Sequence, residues 1–214
     1  MRRTLAITLA LGLTVFGASR ALAAEVSVHA YPTDLAGNPI SSVLVGQQYK
    51  LQVDVQDIRD PAPQFSGVFA AYTDISYTNA FTSVSGPIVH DPFFQIVPLG
   101  NTAVAGSITG AGGASQAFDA PGNAVQHLLS ILFTADAQGV VSFTPSFDAL
   151  PNHDVLLYGV DNIIGVDQIQ FSGSRLAIVP EPGAMALAGS ACAVMGIAGL
   201  VRRRSRRLLS ERLS

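Results

Sequence analysis

The sequence contains no tryptophan and a single cysteine, Cys192. Because Cys192 lies in an apolar stretch near the C terminus, the remainder of the chain has no disulfide framework. Its stability must therefore come from a hydrophobic core. Residues 25–179, about 155 residues, suffice for one domain. Such a domain would bury roughly 70% of the surface that its unfolded chain exposes.

Basic residues are scarce between residues 25 and 179, where only Lys50, Arg59 and Arg175 occur. The same region holds 13 acidic residues, so its formal charge is 3 − 13 = −10. Phosphate binding needs clustered lysine and arginine, which argues against a nucleic-acid partner. The negative charge also disfavours anionic lipid and acidic polysaccharide unless divalent cations bridge the two surfaces.

Signals for catalysis and for zinc binding are missing as well. No glutamate lies between Val26 and Val179, and no aspartate spacing selects the carboxylate pair that a glycosidase needs. No G-x-S-x-G motif occurs, and no lysine follows the glycine-rich run at residues 110–113. The histidines do not lie at metal-ligand spacing, and they are His29, His90, His127 and His153. These observations predict a protein that is not an enzyme.

The N terminus has the three parts of a secretory signal peptide. Arg2 and Arg3 precede an apolar run at residues 5–17, and Ala21 and Ala23 form a small-x-small cleavage site. An uncleaved N-terminal anchor is the alternative, but the apolar run is short and a cleavage site follows it. The pattern therefore predicts a signal peptide over residues 1–23, export by the Sec pathway and a mature chain from Ala24 or Glu25.

The C terminus also has three parts. Pro180, Glu181 and Pro182 precede the uncharged residues 183–201, and an arginine cluster follows. Nineteen apolar and small residues are about enough to cross ~30 Å of hydrocarbon as a helix. Positive charge beside a span resists translocation, which places the arginines in the cytoplasm. The cluster consists of Arg202, Arg203, Arg204, Arg206 and Arg207.

This tail, residues 180–207, resembles the PEP-CTERM sorting signal. The resemblance implies recognition by exosortase, a membrane protease-transpeptidase, after transient anchoring in the inner membrane. It further implies release to the cell surface or extracellular matrix of a Gram-negative bacterium that makes exopolysaccharide. A permanent single-pass anchor is the alternative, and the weak apolarity of a span rich in glycine and alanine disfavours it.

The intervening body has the pattern of β-structure. Residues 49–55 alternate apolar and polar side chains, which is typical of a strand with one buried face. An apolar run at residues 128–133 could be helical, but no helix cap frames it. Residues 100–123 are rich in glycine and predict either a long mobile loop or two weak strands. The remaining predicted strands lie at residues 25–31, 68–77, 81–84, 127–135, 140–147, 155–160 and 175–179. Many short strands without a convincing helix predict an all-β sandwich or barrel.

Three segments of the body resemble the cohesin-like domains common in PEP-CTERM proteins. They lie at residues 57–59, 67–77 and 133–139. The resemblance implies a jelly-roll-like β-sandwich of about nine strands over residues 24–179, related to some carbohydrate-binding modules. Cohesins bind dockerin domains, so it also implies a dockerin-like protein as a candidate partner.

Two features of the body are candidates for binding. Asp54, Asp57, Asp60 and Asp74 could supply the several oxygen ligands of a calcium site. The favoured alternative is turn capping, with Asp57 or Asp74 pairing with Arg59. Sugar platforms stack rings on exposed aromatic residues. Tyr72 is a candidate for such stacking, although its position in a strand favours burial.

Three functions follow from these features. The first is a non-catalytic binding module for a polysaccharide or a protein partner in exopolysaccharide. The second is a structural matrix protein, with glycosylation of serine and threonine in the glycine-rich region as an option. An enzyme ranks last because no catalytic constellation is visible. Calcium is the only candidate cofactor.

Overall fold

The computed structural model describes residues 24–116, 120–148, 150, 153–181 and 183. The signal peptide with Ala21 and Ala23, Pro182 and the arginine cluster lie outside the described residues, as does the apolar span beyond residue 183. No helix in the described part of the chain is long and apolar enough to cross a membrane.

The described residues form twelve β-strands and a short 3-10 helix at Val166–Gln168. The strands are β1 (Val26–Thr33), β2 (Ser42–Leu44), β3 (Gln48–Asp57), β4 (Val68–Tyr77), β5 (Thr82–His90), β6 (Ile96–Asn101), β7 (Ser107–Ala114), β8 (Gln126–Ala135), β9 (Gly139–Phe147), β10 (Leu156–Leu157), β11 (Ile169–Ser172) and β12 (Ser174–Val179).

These strands form two sheets, as expected for a sandwich. The five-stranded sheet has the order β11-β1-β3-β8-β5. The seven-stranded sheet has the order β2-β12-β9-β4-β7-β6, and β10 pairs with β4 beside this path. The pairs β1–β11 and β2–β12 are parallel, and the other pairs are antiparallel. The prediction of an all-β sandwich is confirmed.

The core lies between the sheets because the alternating residues of each strand point inward. In β3, the side chains of Tyr49, Leu51, Val53 and Val55 are buried, whereas the polar residues between them are partly exposed. Such alternation arises because successive residues of a strand face opposite sides of the sheet. Rings meet at the centre of the core, where Phe133 packs against Tyr49, Tyr77 and Phe143.

The strand count of about nine was too low. The additional strands include the short edge strands β2 and β11, whose three and four residues give no clear alternation. The strand predicted at residues 81–84 is longer than expected, since β5 continues to His90. The strand predicted at residues 155–160 is shorter, since β10 has only two residues. The apolar run at residues 128–133 lies in strand β8 and is not helical.

Within the glycine-rich region, residues 107–114 form strand β7, and residues 100–101 end strand β6. β7 lies between β4 and β6, and its glycines allow close backbone approach. A Cβ atom on Gly112 would lie 1.9 Å from the carbonyl oxygen of Ala71, and one on Gly113 would lie 2.5 Å from that of Phe94. Neither distance is physically tolerable, so the glycines are required by packing.

We expect Gly112→Ala to destabilise the domain by about 2–3 kcal/mol, because overpacking a sheet forces its backbone to shift. Urea unfolding of both proteins measures this change. Ser107→Ala in the same strand adds no atom and serves as the matched control. A Gly112→Ala protein within about 0.5 kcal/mol of wild type would contradict this account of β7.

Candidate functional site

The outer face of the five-stranded sheet carries a row of polar side chains. Strand pairing places His29 of β1 beside Ser172 of β11 on one side and beside Asp54 of β3 on the other. Asp54 in turn pairs with His127 of β8. Four neighbouring strands thus contribute one residue each to a single row across the sheet, which brings together residues far apart in the sequence.

Asp54 is the centre of this row. Tyr31 donates its hydroxyl hydrogen to Oδ2 of Asp54 over 2.6 Å. Oδ1 accepts hydrogen bonds from Nε2 of Gln52, at 3.1 Å, and from Nδ1 of His127, at 3.0 Å. The side chain of Asp54 is only 14% exposed, so the carboxylate is held in one position by three donors.

The network also determines the charge of its members. Burial of the Asp54 carboxyl acts to raise its pKa, but the hydrogen bonds from His127, Tyr31 and Gln52 outweigh burial and leave the pKa below its usual value. Burial, followed by the bond to Asp54 and its negative charge, raises the pKa of Tyr31. At neutral pH Asp54 is therefore an anion and Tyr31 a neutral hydrogen-bond donor.

Two rings lie next to this carboxylate. The imidazole of His29 stacks on the phenol of Tyr31, with centroids 4.8 Å apart and planes inclined by 28°. His29 is exposed and Tyr31 is half-buried. Because the two residues are separated by one position in β1, both side chains project from the same outer face.

Together these residues line a groove, which we call the β1 groove. It comprises two cavities, of about 360 Å³ and about 460 Å³, that share His29, Asp54 and Val125. The first cavity is also lined by Ser27, Val55, Gln56, Ile58, Gln170 and Ser172. The second is also lined by Tyr31, Pro32, Pro39, Ile40, Ser41, Ser174 and Arg175. The β1 groove therefore combines rings, apolar walls and polar groups around one carboxylate.

The three basic residues of the body differ in their surroundings. Arg59 is paired with Asp57, and Nζ of Lys50 donates to the carbonyl oxygen of Leu35. Among the described residues, Arg175 has neither an ion pair nor a side-chain hydrogen bond, and it lines the β1 groove. The groove thus has an available cationic donor at one end.

The four aspartates proposed for calcium are not brought together. Within residues 24–116, 120–148, 150, 153–181 and 183, no group of three or more histidine, cysteine, aspartate or glutamate residues could hold a metal ion. Asp54 lies in the β1 groove, Asp60 is exposed, and Oδ1 of Asp74 accepts the N–H of Gly110 at 2.8 Å. Each of these carboxylates serves a separate part of the fold.

Asp57 has the structural role that turn capping predicts. Its buried carboxylate accepts hydrogen bonds from Nε and Nη2 of Arg59 and from the N–H of Gly67, the last at 2.7 Å. Burial acts to raise the pKa of Asp57, but the bonds from Arg59 and Gly67 outweigh it and hold the pKa below its usual value. This pair fixes the end of β3 to the start of β4.

A second polar cluster lies against β4 in the seven-stranded sheet. Nδ1 of His153 contacts Oδ2 of the buried Asp148, and the His153 ring stacks on Tyr72 at 4.9 Å. The hydroxyl of Tyr72 donates to the carbonyl oxygen of Val97 at 3.0 Å. Tyr72 is therefore buried, as its strand position indicated, and it offers no open ring to a sugar.

The sequence did not predict the β1 groove, although His29, His127 and Asp54 were each considered as candidate functional residues. The sequence indicates ordinary strand or loop residues at His29 and His127, and at Asp54 a candidate calcium ligand with turn capping as the favoured alternative. The available signal was the outward polar face of two alternating strands. The register that aligns those faces depends on tertiary pairing and is not visible in either strand alone.

The tail begins directly at the sandwich. Val179 ends β12, Pro180 is half-buried and Glu181 is exposed. β11 pairs in parallel with β1 up to Ser172, and β12 then begins beside Ala30 and pairs in parallel with β2. The chain therefore leaves the sandwich at the end opposite to Glu25. This geometry leaves Glu181 accessible at the surface.

The fold is that of known cohesin modules. One chain of the crystal structure of a CaDoc0917–CaCohA2 complex, in which CaCohA2 comes from Clostridium acetobutylicum, superposes with a TM-score of 0.50 at 15% identity. The match covers 72% of the present chain and 99% of that chain. A non-cellulosomal cohesin from Archaeoglobus fulgidus gives a TM-score of 0.47 at 14% identity, over 76% of this chain and 97% of that one.

No protein-family model and no curated protein matches the sequence. The structural likeness at 15% identity therefore establishes a cohesin-like β-sandwich, and it says nothing by itself about ligands.

Proposed function

We propose that the chain is an exported, non-catalytic binding protein that adheres to polysaccharide in the extracellular matrix through the β1 groove. The observation that carries this proposal is the prearranged carboxylate of Asp54, which three donors hold beside the rings of His29 and Tyr31. A site fixed before the ligand arrives loses little conformational entropy on binding.

The same groove is poorly suited to glycoside hydrolysis. That reaction uses two carboxyl groups on opposite sides of the scissile bond. Among the described residues that line the groove, Asp54 is the single carboxylate, and its low pKa makes it a poor general acid. Binding without turnover is the function that this chemistry favours.

Delivery to the surface is the second part of the proposal. The signal peptide at residues 1–23 directs export, and exosortase cleaves near Pro180, Glu181 and Pro182 after the span at residues 183–201 has anchored the precursor. The exposure of Glu181, two residues after the end of β12, supports access by a membrane enzyme. The arginine cluster then stays in the cytoplasm with the removed tail.

The intact mass of the protein from the surface and medium of its native host tests the sorting step. We expect a chain that starts at Ala24 or Glu25 and ends near Pro180–Pro182, with any attached sugar seen as added mass. The precursor produced in a host without exosortase gives the control mass. Recovery of the chain from the inner membrane with residues 183–207 still attached would show a permanent anchor instead.

Retention on exopolysaccharide extracted from the native host tests the adhesion step. We expect the processed protein to be retained on this material. If it passes through unretained, the adhesion proposal fails, and a purely structural, glycosylated matrix protein takes its place.

A dockerin-like protein is the second candidate partner. The likeness to CaCohA2, whose solved complex contains CaDoc0917, favours it. Capture of a dockerin-bearing protein from the host's own secretome, on a surface separate from the β1 groove, would support this alternative.

A further inference from the structure

We infer that the ligand of the β1 groove is a neutral sugar chain that lies along β1, with one ring packed on the His29–Tyr31 pair and a hydroxyl bonded to Asp54. This inference rests on the proposed function and specifies the ligand of the same site. It follows from four properties of the groove.

The first property is the spare acceptor capacity of Asp54. An ionised carboxylate offers about four acceptor positions, and Tyr31, Gln52 and His127 occupy three of them. The fourth acceptor position can serve a ligand, because Asp54 lines both cavities of the groove. A ligand hydroxyl can donate to it, whereas a ligand carboxylate would only repel it.

The second property is the pairing of flat rings with this acceptor. A pyranose has apolar C–H faces and a rim of hydroxyls, so it suits an aromatic surface next to hydrogen-bonding groups. His29 lines both cavities and Tyr31 lines the second, immediately beside Asp54. Since the phenol is already fixed by its bond to Asp54, the ring pair is rigid before a ligand binds.

The third property is a set of polar side chains that make no hydrogen bond within the part of the chain that the structure describes. Ser27 and Gln170 line the first cavity, and Arg175 lines the second. None of the three side chains makes a hydrogen bond to another of the described residues. Their positions on β1, β11 and β12 extend the set of donors and acceptors to either side of His29, as a chain of several sugar rings requires.

The fourth property is charge. The body carries −10, and the groove holds an anion at its centre, so long-range electrostatic repulsion disfavours acidic sugars. Arg175 lies in only one of the two cavities and offsets this field locally. A neutral sugar chain meets no such repulsion, and its hydroxyls and C–H faces can still make the hydrogen bonds and ring contacts that the groove offers.

Affinity electrophoresis of the processed protein tests the inference, using dextran, galactomannan and mixed-linkage β-glucan as neutral probes and polygalacturonate as the acidic probe. We expect retardation by at least one neutral polysaccharide and none by polygalacturonate. Retardation by polygalacturonate alone, or by no probe, would overturn the inference.

Variants locate the binding to the groove. His29 is exposed, so His29→Ala should fold normally, and we expect it to weaken binding about tenfold, the equivalent of one lost stacking contact. Tyr31→Phe keeps the ring but removes the bond to Asp54, and we expect a smaller loss. Phe65→Ala changes an aromatic residue that is 61% exposed and outside the groove, and it should bind like wild type. Equal binding by His29→Ala and wild type contradicts the assignment.

Native exopolysaccharide separates this inference from the broader proposal. If the processed protein is not retained at all, the proposed adhesion itself fails. If it is retained but His29→Ala is retained equally, adhesion to polysaccharide stands and the neutral-sugar assignment to the His29–Tyr31 pair is wrong. If protease treatment of the matrix abolishes retention, the ligand is a protein, and both the adhesion proposal and the neutral-sugar assignment are wrong.

Discussion

Replacing Asp57 with alanine is expected to lower the free energy of unfolding by about 3–5 kcal/mol, because it leaves a partly buried arginine without its partner. The Asp57 side chain is 0% exposed and that of Arg59 is 14% exposed. The variant also removes the acceptor for the N–H groups of Arg59 and Gly67. Unsatisfied buried donors add to the loss. Urea unfolding measures the difference.

The matched control is Asp161→Ala. Asp161 is exposed and its carboxylate makes no hydrogen bond to another described residue, so the change should stay within about 0.5 kcal/mol. Equal stabilities of the two variants would show that the Asp57–Arg59 pair contributes nothing to the end of β3.

The Asp57–Arg59 pair makes the free energy of unfolding depend on pH in the acid range. Because the pKa of Asp57 is lower in the folded than in the unfolded state, its contribution is fully present above the unfolded value of about 3.9. It is lost as the pH falls through the folded pKa. We therefore expect the stability of wild type to fall more steeply below about pH 4 than that of Asp57→Ala.

Phe133→Ala is expected to lower the free energy of unfolding by about 3–5 kcal/mol, because it removes a large side chain from the hydrophobic core. The ring of Phe133 is fully buried, and its centroid lies 5.7 Å from that of Tyr49, 5.1 Å from Tyr77 and 5.5 Å from Phe143. Truncation leaves a cavity among the three neighbouring rings. These rings cannot move freely into the cavity, since the hydroxyl of Tyr49 is hydrogen-bonded to Oγ1 of Thr82 at 2.8 Å.

Thermal and urea unfolding of Phe133→Ala measure this loss, with Phe65→Ala as the control for removing an exposed ring. A domain typically has only about 5–15 kcal/mol to lose, so Phe133→Ala is expected to be partly unfolded near its working temperature. A change below about 1 kcal/mol would mean that the aromatic cluster is not the centre of the core.

The two variants test different links between sequence and fold. Phe133 reports on the packing of the apolar run at residues 128–133, which was visible in the sequence. Asp57 reports on a capping pair with Arg59, two residues away, and on the hydrogen bond from Gly67, ten residues away. Neither residue lines the β1 groove, so a folded variant of either should still bind the groove's ligand. Binding lost together with stability therefore reflects unfolding rather than a direct contact.

The sequence by itself determined the all-β class and most of the long strands. β4 was predicted at its observed bounds, and β3, β8 and β9 were predicted to within two residues at either end. The physical reason is that a half-buried strand must alternate apolar and polar residues, and this alternation is local. The predicted signal peptide and sorting tail are local patterns too, and they remain predictions.

Only the tertiary structure decided which polar residues meet. Asp54 meets Tyr31 and His127, which are 23 and 73 residues away in the sequence, whereas Asp57 pairs with Arg59 only two residues away. Alternation along β3 turns Asp54 outward and Asp57 inward, and the pairing of β3 with β1 and β8 brings Tyr31 and His127 to Asp54. Short edge strands and the glycine-rich β7 were likewise fixed by neighbouring strands, because backbone pairing and close packing are long-range properties that residue patterns do not encode.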